Sequence, residues 1–177
     1  MTLIERTPAG LYCPAGDFYL DPWQPVARAV ITHAHADHAR SGSRAYLTAA
    51  AGAAVLRARI GDAAPIQSLA YGESITIGAA TVSLHPAGHI LGSAQVRVSA
   101  RGETWVLSGD YKTDADATCT SFEPVPCHTF ITEATFALPI YRWRPQTEIF
   151  AAINAWWRDN QAAGRASLLL AYALGKA

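Results

Sequence analysis

The sequence predicts a mixed α/β fold, on three observations. The chain has 177 residues, 50% of them apolar, enough for one medium domain with a core of its own. Short apolar runs end repeatedly at glycine, proline or aspartate, the usual punctuation of strands and turns. Two longer stretches, residues 49–60 and 147–161, are instead rich in alanine or place apolar side chains at helical spacing.

The elements follow in order. Residues 18–20 (FYL) form a short strand stopped by Asp21-Pro22. Residues 26–32 read as a buried strand that leads directly into a histidine cluster. Residues 45–48 add another strand, and the alanine-rich helix 49–60 ends at Gly61. Residues 74–77 and 80–85 flank a tight Gly78-Ala79 connection. Residues 94–100 and 104–108 flank Arg101-Gly102-Glu103 and read as a hairpin, and residues 129–133 are a further strand. In the helix 147–161, Ile149, Phe150, Ile153, Trp156 and Trp157 share a face that is expected in the core. Residues 167–172 read as a strand, with Gly175 opening a turn. Because SLLLAYALGKA looks like a strand entering a turn and a new helix, the chain is expected to be a piece of a longer protein.

Composition narrows the functional classes. Fourteen Lys and Arg balance fourteen Asp and Glu, so any binding of phosphate must rest on a local site and not on the overall field. No apolar run reaches the roughly 18 residues of a membrane span, and MTLIERTPAGLYC has no secretory core. Cys13, Cys119 and Cys127 form no CxxC pair. They suit reduced thiols in a cytoplasm and read as small buried hydrophobes.

The chemistry concentrates in ITHAHADHARSG, residues 31–42. Side chains two apart on an extended segment face the same way, so His33 and His35 can reach one cation. Asp37 and His38 follow at the next turn and can reach a second point nearby. The intervening alanines keep the wall thin. Imidazole with carboxylate suits Zn²⁺, and also Mn²⁺ or Fe²⁺. One loop cannot close such a site alone. His89 in HPAGHILGSAQ and Asp110 in WVLSGDYK each follow a strand exit, with glycines allowing tight backbone paths beside them. A carboxylate such as Asp110 can bridge two ions. Two cations about 3.5–4 Å apart could hold a hydroxide between them and clamp the leaving oxygen of a phosphodiester, with the pKa of water lowered from about 15.7 toward about 7. Taken singly, His89 could be an ordinary loop histidine and Asp110 a turn cap. His85 and His128 have no motif around them and read as structural.

HAHADH resembles the HxHxDH signature of the metallo-β-lactamase fold. Asp21 after FYL, His89 in GHILGSAQ and Asp110 in SGDYK resemble that fold's remaining N-terminal motifs, in the right order. GHILGSAQ, LSGDYK and TEATF are closer still to the β-CASP nucleases, the branch containing pre-mRNA 3′-end processing and DNA cross-link repair enzymes. TEATFALPIYRWRP and the closing AYALGKA look most like bacterial ligase-associated DNA exonucleases. The resemblance implies an αββα sandwich of metallo-β-lactamase type over residues 1–133 and the beginning of a β-CASP domain over residues 134–177. It implies that His33, His35 and His89 hold one metal, that Asp37 and His38 hold a second, and that Asp110 bridges them. Asp21 would orient the histidine loop. Glu133 in TEATF matches the first acidic motif of the β-CASP insertion and would support the site or a proton path; a strand cap or an arginine pair is the plainer reading. Asp37, Asp110 and Glu133 are thus the catalytic candidates, and the cofactors are two divalent ions, zinc or manganese.

The implied activity is phosphodiester hydrolysis, of DNA from an end and in repair, in a cytoplasmic protein. An ATP-dependent DNA ligase and a helicase would be its working partners. An RNA-processing nuclease of the same branch is the second reading, and an inactive module binding metal and nucleic acid is the third. A thioester or lactam hydrolase fits SGDYK and TEATF less well. Such nucleases carry further histidines beyond this point, whereas no histidine follows His128, so residues 1–177 alone are expected to have weak or no activity. Arg142 and Arg144 alternate with Tyr141 and Trp143, which could clamp a nucleic-acid strand or be a solvated edge with arginine stems lying on apolar surface. Lys112, two residues past Asp110, could reach a substrate phosphate or be an ordinary surface lysine.

Overall fold

The computed structural model describes residues 2–171 and 173–175. The chain divides into two compact units, Met1–Glu133 and Ala134–Ala177.

The first unit is built on two sheets. One contains β1 (Glu5–Thr7), β2 (Gly10–Cys13), β3 (Phe18–Leu20), β4 (Ala29–Val30), β5 (Tyr46–Ala49) and β6 (Ile66–Leu69), in that spatial order. Strands β1 to β3 pair antiparallel, and β3 to β6 pair parallel. The other sheet has the order β11-β10-β9-β8-β7, from β7 (Ser74–Ile77), β8 (Ala80–Pro86), β9 (Ala94–Ala100), β10 (Glu103–Leu107) and β11 (Thr129–Ile131). Its pairs are antiparallel except β10 with β11. A 3₁₀ turn at Ala50–Gly52 runs into α1 (Ala53–Ile60).

The core lies where the two sheets face each other. Phe18, Leu20, Val30 and Leu47 from one sheet form a single buried cluster with Val82, Leu84, Val96 and Val98 from the other. The β9 residues of that cluster sit at alternate positions, the period that turns one strand face inward. Face-to-face sheets exclude water from both inner surfaces at once. The mixed α/β fold is as the sequence predicts, and two facing sheets are consistent with the metallo-β-lactamase type.

Strand direction decides where the polar groups go. β3 and β4 are parallel. β8 runs antiparallel to β9, and β9 to β10, so β8, β10 and β11 share a direction. Asp21 follows β3, the histidine loop follows β4, His89 follows β8, Asp110 follows β10 and Glu133 follows β11. The sheets are tied at this rim, where the Ala94 amide at the start of β9 donates to the Thr32 carbonyl at 2.8 Å. Close by, the backbone at Gly92 lies against that of Gly52, so closely that a side chain on Gly92 would collide with it.

Several elements differ from expectation. The predicted strand 26–32 is paired as a strand only at Ala29–Val30. Beyond it the Thr32 amide turns to the Asp21 carboxylate, so a side chain ends the ladder. The helix predicted from residue 49 begins at Ala53, after the 3₁₀ turn. Strands β1, β2 and β6 were not expected, being only three or four residues long. The hairpin at Arg101-Gly102 is present, with both residues at positive φ, as a two-residue turn between twisted strands requires.

The second unit contains α2 (Gln146–Ala162). Its end is closed by Asn160, whose side chain bonds Ser167 and accepts from Arg165. The predicted strand after it does not form over residues 167–171, and Tyr172 lies outside the described residues. A strand needs a ladder partner, and none pairs with this segment among the described residues. Nor is the aromatic face of α2 core: Trp156 and Trp157 are exposed, because the described residues of this unit form no sheet to cover them. Among the described residues, no helix is long and apolar enough to cross a membrane.

Candidate metal centre

Asp21 organises the histidine loop. It adopts a positive φ of 41°, a conformation that aspartate tolerates better than most residues. One carboxylate oxygen accepts the Thr32 amide at 2.8 Å. The other accepts the Thr32 hydroxyl at 2.6 Å and faces His38 Nδ1 at 2.8 Å. The Thr32 hydroxyl, having donated its proton to Asp21, can only accept from His33 Nδ1, which is 3.0 Å away. His33 therefore carries its proton on Nδ1 and leaves the Nε2 lone pair free. That lone pair faces a cluster.

Four ligand atoms from His33, His35, His89 and Asp110 lie within 4.8 Å of one another. His33 Nε2 is 3.0 Å from His35 Nδ1 and 3.8 Å from Asp110 Oδ2. His89 Nε2 is 3.3 Å from His35 Nδ1 and 3.6 Å from Asp110 Oδ2. A tetrahedral zinc with ligands at about 2.0–2.1 Å has ligand–ligand edges of about 3.3 Å. These four spacings bracket that value, so the groups are gathered at close to the spread a divalent ion needs. The donor set, three imidazoles and a carboxylate, is also of the right chemistry.

The other Asp110 oxygen looks elsewhere. Oδ1 is 3.3 Å from His38 Nε2, which is 3.6 Å from Asp37 Oδ2. Asp110 thus stands between the four-atom cluster and a second, more open grouping; the Asp37 side chain is 77% exposed.

Electrostatics sharpen the picture. Burial pushes the His33 imidazole well below its ordinary range, helped by the charge of His38, which keeps it neutral and able to ligate. For His38, burial opposes the charged form, but hydrogen bonds and charges from Asp110 and Asp21 prevail and raise its pKa to about 10. The same hydrogen bond from His38 holds Asp110 below the usual carboxylate range against the effect of burial. Without metal, then, His38 is a cation clamped between two carboxylates.

Other predicted residues fall as follows. Glu133 Oε1 accepts the Tyr111 amide at 3.3 Å, and its own amide donates to Ser108 Oγ at 3.4 Å, so it braces the Asp110 loop from both sides. Lys112 Nζ pairs with Asp116 at 3.3 Å. Arg144, just before α2, pairs with Glu148 in the first turn of that helix, and Trp143 packs edge-on against Phe136; with Arg142 these belong to the second unit. His85 contacts Ser83 and faces Glu123, and His128 Nδ1 accepts the Thr104 amide. Cys13 is fully buried, whereas Cys119 and Cys127 are half-buried.

The sequence reading missed three supports. Thr32 sets the His33 tautomer. Ser93 Oγ accepts the amides of His89 and Ile90 and shapes the turn presenting His89. Arg59 Nε donates to the Ala34 carbonyl inside the histidine loop at 3.2 Å. A hydroxyl just before the first histidine was a usable signal for Thr32. Arg59 lies 25 residues from Ala34 and carried no local signal.

Comparison with known proteins adds the following. No protein-family model matches the chain. It is 33% identical over 171 residues to a probable DNA ligase of Opitutus terrae, matching along 94% of its own length. The chain spans only 16% of the length of that relative. Among solved structures, it is similar to a metallo-β-lactamase HARLDQ-motif mutant from Cronobacter sakazakii, at 18% identity and a TM-score of 0.40, covering 55% of this chain and 54% of that one. Zn²⁺-bound PqqB from Methylobacterium extorquens gives 12% identity and a TM-score of 0.35, covering 45% and 37%. Overlaps this partial add nothing to what the sheets and the cluster themselves show.

Proposed function

We propose that the chain is the metal-binding part of a metallo-β-lactamase-type hydrolase that cleaves nucleic-acid phosphodiesters, with DNA attacked from an end, in the manner of β-CASP nucleases. The observation that carries the reading is the convergence of His33, His35, His89 and Asp110 from three separate strand exits. The likeness to a probable DNA ligase supports DNA as the substrate; a ligase and a helicase are proposed beside it as working partners.

Divalent ions at this site would supply Lewis-acid stabilisation of phosphate charge and a nucleophilic water at neutral pH. The chain's own residues do the rest. Thr32 and Asp21 fix the orientations of His33 and His38. Asp110 offers one oxygen to each grouping, which suits a two-ion arrangement with Asp37 and His38 as the outer ligands. Asp37, on the exposed side, marks where substrate enters. Glu133 keeps the Asp110 loop from drifting, and a small displacement of reacting groups is costly to rate.

The test is cleavage of end-labelled DNA and RNA strands of one sequence, with zinc or manganese, by the protein and by Asp110→Asn. Shortening of DNA from one end that falls at least about 100-fold in the variant supports the proposal. RNA cut while DNA is spared would move the assignment to RNA processing. Metal and DNA bound without any cleavage would leave a recognition module.

A further inference from the structure

Beside the histidine loop lies an open cleft of about 430 Å³, lined by Trp23, Gln24, Arg40, Ser41 and Arg59 among others. Two cations face it, and no acidic residue lines it. In a chain of zero net charge, that is a local positive site. The Arg40 carbonyl accepts from Tyr46 Oη at 2.9 Å, but its guanidinium makes no hydrogen bond or ion pair with any described residue. Among the described residues, Arg59 spends only Nε, on the Ala34 carbonyl, leaving its terminal N–H groups. Trp23 is 47% exposed, with the Arg6 guanidinium 5.7 Å from the ring centre.

Position gives the cleft its meaning. Trp23 is two residues past Asp21, and Arg40 is two residues past His38. Two residues reach at most about 7 Å. Arg59 touches the backbone between His33 and His35. Each wall is therefore attached to a group that orders the metal centre. Phosphate needs guanidinium donors, a base needs an aromatic face, and this cleft offers both at the edge of the centre.

We propose that this cleft is a subsite for single-stranded nucleic acid, with Arg40 and Arg59 on successive phosphates and Trp23 stacked on a base, feeding the strand to the metal centre. The inference rests on the nuclease reading and adds to it the form of substrate and the residues that hold it. The carboxylate on the same loop, Asp37, faces His38.

The experiment is fluorescence anisotropy with an end-labelled single-stranded oligonucleotide, in protein carrying Asp110→Asn so that nothing is cut. Trp23→Ala and Arg40→Ala should each weaken binding about tenfold, and Arg40→Ala should lower the salt slope by about 0.7. Trp23→Phe should restore most of the affinity, and zinc stoichiometry should not change in any of them. Binding within twofold of the parent in both alanine variants overturns the cleft, and does so alone if the protein with Asp110 intact still cuts DNA. Inorganic phosphate competing as well as the oligonucleotide also overturns it. A parent that binds no nucleic acid overturns the cleft and the nuclease reading together.

Discussion

His38 Nδ1 and Asp21 Oδ2 lie 2.8 Å apart, joining the histidine loop to the end of β3. With Thr32 on the same carboxylate, Asp21 is the anchor from which two imidazoles take their orientation. A carboxylate that holds the far nitrogen of a ligating histidine fixes its tautomer and raises its basicity.

Asp21→Asn keeps the shape of that anchor and removes its charge. An amide N–H placed against His38 Nδ1 would favour the wrong tautomer, with the proton on Nε2. Zinc affinity measured by titration calorimetry should fall about 10- to 100-fold. Unchanged affinity would reduce Asp21 to a turn residue.

Stability of the metal-free protein should depend on pH through His38. Its folded pKa, about 10, lies above the ordinary 6.5. The stabilisation is therefore complete below about pH 6.5 and is lost as pH rises through 10. Urea unfolding with a chelator present, repeated from pH 6 to 10, should show the midpoint falling with pH. In His38→Gln that part of the decline should vanish.

Loading of the outer grouping should release a proton. His38 is a cation at neutral pH without metal and must be neutral to ligate. Calorimetric titrations at pH 7, in two buffers of different ionisation enthalpy, should give about one proton released through His38. Binding heats independent of the buffer would place His38 outside the ligand set.

Two glycines offer a contrast in backbone demand. Gly92 and Gly102 both have positive φ, but a Cβ on Gly92 meets the Gly52 backbone while one on Gly102 meets nothing within 4 Å. Gly102→Ala should cost about 1 kcal/mol, from conformation alone. Gly92→Ala should cost more, at least about 3 kcal/mol, because it also forces the His89 turn from the 3₁₀ turn. Denaturant midpoints would separate the two.

Much of this was legible in local pattern. Alternation in β8 and β9 announces itself because every second residue must be apolar to face the opposite sheet. The helical spacing of α2 is equally plain, although spacing could not say whether Trp156 and Trp157 would find cover. The strand 26–32 was read too long because nothing local shows that Thr32 gives its amide to Asp21. That bond closes over eleven residues.

Residue type and short spacing, then, determined which groups could bind metal: His33, His35, Asp37 and His38 share one loop, and a strand brings each of His89 and Asp110 to a rim. Tertiary structure alone decided which atoms meet, that Asp110 divides its oxygens between His89 and His38, that Thr32 chooses the His33 tautomer, and that Arg59 reaches back to Ala34. The reason is physical: periodicity is written in neighbours along the chain, whereas lone-pair direction and charge depend on groups that folding brings within about 4 Å.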